Sequence, residues 1–201
     1  MKDLIPKTTR EKLARLEGLV SEEVGLRLAT FAAAVPADQA IVECGSYKGK
    51  SGCYLAEGAK RGGGAHVWCV DPWSLAGNAT GRYGFAEAAT MDAFQVQVAR
   101  MGHQERITQV QAFAADYGRA WNGPDVGLLF IDSDHRYTPV KADFLAWEPH
   151  LVPGAIVVFD DAHHTKECNR GVGMFVEELR SGSEWVRWDI DIVPIAVGWR
   201  V

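Results

Sequence analysis

Short apolar runs alternate with amphipathic stretches along most of the chain. Ala40–Cys44, His66–Val70, Ile107–Val110, Val126–Ile131 and Ala155–Phe159 are rich in β-branched and apolar residues and have the length of strands. Val126–Ile131 is apolar almost throughout, as a strand covered on both faces must be. The stretches between them change to helical spacing. A helix is predicted from about Ser51 to Arg61 and ends at Gly62-Gly63-Gly64. Met91, Phe94, Val98 and Met101 share one face of a second helix, closed by Gly102. Val140, Phe144, Trp147 and Leu151 form the stripe of a third, and Pro153-Gly154 turns the chain into the next strand. Val172, Phe175, Val176 and Leu179 mark a fourth. Ahead of the first strand, Ser21 followed by Glu22 and Glu23 is a helix cap with acids in the first turn. Val24, Leu28, Phe31 and Val35 carry the stripe to Pro36, and Leu13 and Leu16 suit a shorter helix before it. Two strand-like segments close the chain, Trp185–Ile190 and Ile195–Val201, with Pro194 at the edge of the last.

Strands alternating with helices imply parallel βαβ units and an α/β, three-layer sandwich of one domain over residues 1–201, with N-terminal helices in 1–37. The longest irregular stretch, Ser74–Thr90, carries Gly77, Gly81, Gly84, Tyr83 and Phe85 and reads either as a lid or as a plain connection. With 201 residues and 47% hydrophobic positions the chain can bury a sufficient core without disulfides. Its 21 basic against 26 acidic residues (net −5) contain no basic run, which argues against nucleic acid as a partner. No apolar run reaches the length of a membrane helix, and Met1–Lys7 lacks the apolar core of a signal peptide. Cys44, Cys53, Cys69 and Cys168 form no CxxC pair, so reduced thiols and a cytoplasmic location are expected.

In a sheet of this kind ligands bind beyond the carboxyl ends of the strands. Those ends are acidic here: Glu43, Asp71, Asp132 with Asp134, and Asp160 with Asp161. Any one of them could be a turn former or a helix cap. Together they repel unless positive charge sits among them. The first turn, Glu43-Cys44-Gly45-Ser46-Tyr47-Lys48-Gly49-Lys50-Ser51, has the tail of a phosphate-binding GxxxxGK[ST] loop, but its leading glycine would fall on Cys44. Nor does Gly45-x-x-x-Gly49 supply the GxGxxG of a dinucleotide site.

The spacing that does fit is E-x-G-x-x-x-G, which resembles the first motif of class I S-adenosyl-L-methionine (SAM) dependent methyltransferases. Val42–Ala56 looks like the corresponding segment of the catechol O-methyltransferase group, including the tyrosine two after the first glycine and the following G-x-S. Phe130-Ile131-Asp132-Ser133-Asp134-His135-Arg136-Tyr137 and Val152–Asp161 resemble signatures of small bacterial enzymes grouped near macrocin O-methyltransferase. The resemblance covers roughly residues 38–180. It implies a Rossmann-like, seven-stranded, mostly parallel sheet with an antiparallel last strand. It also implies SAM as cofactor, held by Glu43, Gly45, Ser46, Tyr47, Gly49, Ser51, Asp71, Pro72, Trp73 and Asp132. Asp71 would hold the ribose hydroxyls, and Ala114 and Asp116 would lie near the adenine, although Ala112–Tyr117 departs from the usual G-x-S-x-E.

By the same resemblance Asp132, Asp160 and Asp161 match a metal site, for which three carboxylates suit Mg²⁺. Such an ion would bind and activate the attacking hydroxyl. Asp134 and His135 compete for general base, with Asp134 preferred. His163 and His164, were they ligands, would favour a transition metal; otherwise they line an entrance or face solvent. Trp73, Tyr83 and Phe85 either close over a flat or sugar-like acceptor or pack. The leading expectation is a Mg²⁺-assisted O-methyltransferase acting on a small hydroxylated molecule such as a phenol or sugar. Its rivals are a metal-independent N- or O-methyltransferase using His135, a metal-dependent protein like the cephalosporin hydroxylases of the same fold, and a non-catalytic binding module. The N-terminal helices offer elements for a homodimer.

Overall fold

The computed structural model describes residues 4–73, 87–162, 170–182, 185–189 and 195–200. Its elements run α1 (Lys7–Ala14), α2 (Glu22–Ala33), β1 (Ala40–Cys44), α3 (Lys50–Arg61), β2 (His66–Asp71), α4 (Glu87–Met101) and β3 (Ile107–Gln111). They continue with α5 (Ala114–Arg119), β4 (Val126–Ile131), α6 (Tyr137–Trp147), β5 (Leu151–Phe159), α7 (Arg170–Ser181), β6 (Trp185–Asp189) and β7 (Ala196–Arg200). The strands form one sheet in the order β3-β2-β1-β4-β5-β7-β6. Pairing is parallel from β3 to β5, and β7 runs antiparallel to both β5 and β6.

Successive strand residues point to opposite faces, and each face has its own core. Ile41, Val67, Leu128, Phe130 and Val158 pack beneath α1–α4 with Leu13, Leu28, Leu55 and Phe94. Val42, Val70, Leu129, Ile131 and Val157 face α6 and α7 through Val140, Phe144, Trp147 and Phe175. Ser21 caps α2 as predicted, its hydroxyl accepting from the Val24 amide at 3.2 Å. Helices α2 and α3 meet backbone to backbone. A Cβ at Gly58 would run into the Ala29 carbonyl, and one at Gly62 into that of Ala33.

Two expectations are corrected and one element was missed. Leu151 does not continue the helical stripe: α6 stops at Trp147, a 3₁₀ turn spans Glu148–His150, and Leu151 opens β5. Instead of turning the chain into the strand, Pro153-Gly154 lies inside β5. The register shifts there, with Val126 opposite Leu151 and Leu128 opposite Ile156, so the extra residues bulge out where proline need not donate. Helix α5 was not predicted; its six residues show no apolar stripe, and tertiary contacts hold it. The Trp147 indole donates to the Ala114 carbonyl at 3.2 Å, and a Cβ at Gly118 would press on Trp147. Of the proposed lid, 87–90 is the first turn of α4; residues 74–86, with Tyr83 and Phe85, lie outside the described residues, as do His163, His164 and Cys168. No described helix is long and apolar enough to cross a membrane.

Candidate active site at the carboxyl edge of the sheet

The parallel ladder continues one residue beyond the strands. Ala112 N donates to Asp71 O at 3.1 Å, Gly45 N to Val70 O at 2.8 Å, Asp132 N to Cys44 O at 2.8 Å and Asp160 N to Ile131 O at 3.0 Å. These bonds set Asp71, Gly45, Asp132 and Asp160 side by side along one edge. The connections are so close that a Cβ at Gly45, which has φ +90°, would strike the backbone of Asp132 and Ser133.

The half built on β1 and β2 is a closed loop. The Asp71 carboxylate accepts from the Ser46 and Tyr47 amides, each at 2.9 Å, and from the Trp73 amide at 2.8 Å. The Trp73 indole returns a bond of 2.9 Å to the Tyr47 carbonyl. Tyr47 and Trp73 both sit in the left-handed region, at φ +45° and +38°. Non-glycine residues held there cost roughly 1–3 kcal/mol each, and the ring of bonds through Asp71 offsets that strain. Asp71 therefore faces the loop backbone, a placement that its expected role as ribose acceptor does not require. Trp73 is buried and packs edge-on to Phe94 at 5.2 Å, the packing alternative of the two considered for it. Gly49, at φ +82°, leaves room for the Phe94 ring, 2.6 Å from where a Cβ would stand.

Beneath this loop lies a buried polar patch of Glu43, Ser46 and Ser51. The Glu43 oxygens and the Ser46 hydroxyl have no aligned hydrogen-bond partner. Burial pushes the Glu43 carboxyl up to about 7, against the pull of nearby Ser46, Ser51 and Cys69. A carboxyl kept from water, with only Ser46, Ser51 and Cys69 beside it, suits a cationic ligand group. Ala114 is buried at the start of α5, whereas Asp116 is turned to solvent and pairs with Arg119 at 2.5 Å.

The half built on β4 and β5 is electrostatic. His135, 9% exposed, stands between two carboxylates: Nε2 is 3.3 Å from Asp132 Oδ1, and Nδ1 is 3.1 Å from Asp161 Oδ2. Burial alone would lower its pKa, but these two partners overcome it and hold the imidazole up at about 10. Asp160 is pushed up to about 8, first by burial and then by the charges of Asp132 and Asp161. Asp161 is itself left-handed, at φ +54°. A Cβ at Gly171 of α7 would collide with the backbone of residues 135–137, so α7 fixes the His135 segment from behind.

Asp134, the preferred base, is not in this group. Its carboxylate is gripped by the Arg136 guanidinium, with Nε at 2.9 and 3.0 Å and Nη2 at 2.5 Å. Of the three carboxylates expected to hold Mg²⁺, Asp132 and Asp161 both face the His135 imidazole. The imidazole stands between Asp132 and Asp161, and no group of three or more His, Cys, Asp or Glu among the described residues is set to hold a metal ion.

Two supporting residues had not been singled out. Asp143 of α6 is buried beneath the β4 connection, where its carboxylate accepts from the Ser133 hydroxyl at 2.5 Å. Its pKa is pushed up to about 6 by burial, tempered by Ser133 and the Ala115 amide. Gln97 of α4 is buried against the β1 loop. Both left a signal: each is a polar residue inside an apolar helical stripe, Gln97 between Phe94 and Val98, Asp143 between Val140 and Phe144.

Residues 42–162, which contain both halves of this edge, match the family model of the methyltransferase domain. The chain belongs to that family. Over 140 residues this methyltransferase domain is 31% identical to protein y4gI of Sinorhizobium fredii, covering 69% of this chain and 15% of that protein. The chain thus spans less than a sixth of that relative's length. Its fold is that of solved O-methyltransferases. TomG from Streptomyces achromogenes, in complex with SAM and involved in tomaymycin synthesis, superposes with a TM-score of 0.69 at 17% identity, covering 98% of this chain and 91% of that one. An O-methyltransferase from Bacillus cereus, in complex with S-adenosylhomocysteine (SAH), gives 0.69 at 18% identity, covering 98% and 94%.

Proposed function

We propose that this methyltransferase domain transfers a methyl group from SAM to a hydroxyl of a small molecule. The observation that carries the reading is the imidazole of His135, enclosed by Asp132 and Asp161, on the same edge as the closed loop 45–50. The two O-methyltransferases of the same fold support the choice of oxygen.

When bound, SAM supplies an electrophilic methyl on a sulfonium. Gly45, Ser46, Tyr47, Gly49 and Ser51 shape its cradle, Asp71 with Pro72 and Trp73 holds that cradle in form, and Glu43 presents its carboxyl from below. Ala114 lines the adenine side in this reading, and Asp116 has no part in it. As the new O–CH₃ bond forms and the S–CH₃ bond breaks, the acceptor hydroxyl gives up its proton. With the His135 imidazole held up at about 10, and so protonated near neutral pH, a carboxylate of Asp132 or Asp161 takes that proton and passes it to solvent, while His135 keeps those two carboxylates in place. Placing acceptor and methyl in line supplies the orientation that displacement needs.

The test is transfer of labelled methyl from SAM to a panel of phenols, sugars and other hydroxylated compounds. Wild type is expected to label at least one class, and His135→Ala to label it at a rate lower by about 10²–10⁴-fold. Labelling unchanged in His135→Ala, or none across the panel, overturns the reading.

A further inference from the structure

Gln97 joins three segments that are far apart in the chain. Its side-chain carbonyl accepts from the Glu17 amide at 2.5 Å, and its amide nitrogen donates to the Glu17 carbonyl at 2.9 Å and to the Lys48 carbonyl at 2.6 Å. Only this orientation of the amide satisfies all three, since reversing it would set donor against donor and acceptor against acceptor. The side chain is 4% exposed, so none of these groups has water as an easy substitute.

Further contacts join the same segments. Lys48 Nζ reaches back to Glu17 Oε2 at 2.6 Å, and Gly18 lies against Lys50, whose Cβ is 2.6 Å from where a Gly18 Cβ would stand. One helical turn before Gln97, the Phe94 ring fills the space left at Gly49. The turn after α1 and helix α4 therefore grip three consecutive residues of the loop, Lys48, Gly49 and Lys50, from outside the sheet.

We infer that Gln97 is a positioning residue that couples the N-terminal turn around Glu17 to the cofactor loop, so that order in one is linked to order in the other. The inference rests on the cofactor reading above. A loop that keeps its binding shape a tenth of the time binds tenfold more weakly, whatever its contacts to the ligand. The linkage is reciprocal: a ligand that orders the loop must also order the turn.

The experiment uses the full chain and SAH. By calorimetry, at a temperature where both proteins are folded, Gln97→Met, which keeps length but removes donor and acceptor, is expected to bind SAH about tenfold more weakly than wild type. Gln97→Glu, which keeps shape but lacks both donated bonds, should weaken it by a similar factor. In wild type, hydrogen exchange of amides 16–19 should slow with SAH alongside that of 46–50. Affinity within twofold of wild type in a folded but less stable Gln97→Met would overturn the coupling and leave a merely structural role. So would exchange that slows at 46–50 and not at 16–19, a result that decides the matter even if the variants do not fold. A wild-type chain that does not bind SAH contradicts the cofactor reading itself, and the coupling falls with it.

Discussion

The two halves of the carboxyl edge are built on opposite principles. At β1 and β2 the polar groups above the strands answer one another: Asp71 takes three amide hydrogens, Trp73 returns one bond to Tyr47, and Gln97 completes three more. At β4 and β5 the groups conflict. Three carboxylates crowd together, Asp160 is driven up to about 8, and one imidazole is shared between Asp132 and Asp161. A loop whose backbone takes this many bonds keeps one shape before a ligand arrives, as the cradle proposed for a large cofactor must. A crowded set of titratable groups exchanges protons readily, and proton handling is what transfer to a hydroxyl requires. On the proposed reading, binding falls to one half and chemistry to the other.

Separable defects test that division. His135→Ala should give the largest, lowering turnover by about 10²–10⁴-fold while SAH affinity stays within threefold; comparable losses in both would erase the boundary between the halves. Asp71→Ala orphans three amides and releases two strained residues, so SAH affinity should fall by about 100-fold and stability by about 2–4 kcal/mol, read by calorimetry and urea unfolding. If Asp71→Ala binds SAH like wild type, the loop does not depend on its ring of bonds.

Glu43 gives a somewhat smaller, pH-dependent effect. Its carboxyl rises from an ordinary 4.5 to about 7 in the fold. Between those values the folded chain keeps a proton that the unfolded chain has released. Its contribution is therefore most favourable below pH 4.5, declines as pH rises through the window, and levels off above 7. The span is about 3 kcal/mol. Unfolding free energies of the SAH-free chain from pH 4 to 8 should fall more steeply in wild type than in Glu43→Gln; parallel curves would show that the carboxyl is not held protonated. The smallest effect concerns the metal: EDTA is expected to leave turnover unchanged. Activity lost in EDTA and restored by Mg²⁺ would mean that Asp132, Asp160 and Asp161 regroup around an ion.

Most of the fold was legible because its information is local. Runs such as Val126–Ile131 and stripes such as Val172 to Leu179 declare their period directly. The elements that were missed depend on distant partners, as α5 does on Trp147. Leu151 fits either the end of a helical stripe or the start of a strand, and only pairing with Val126 decides between them. In the site, the residue types at the strand ends were evident, but their partners were not. Arg136 stands next to His135 and two positions from Asp134, yet it takes the Asp134 carboxylate and leaves the imidazole to Asp132 and Asp161. That selection is made in three dimensions. Gln97 and Asp143 could have been found, since a buried helical stripe has no use for a polar residue unless it is satisfied from elsewhere.

The most direct test of the central claim is thermal unfolding of the wild-type chain with SAH, beside ATP and NAD. A ligand at 100 times its dissociation constant adds about 2.7 kcal/mol, or about 5–10 °C for a domain of this size. The account predicts that shift with SAH and none with ATP or NAD. A midpoint that SAH leaves in place at saturating concentration, or that ATP raises equally, would contradict it.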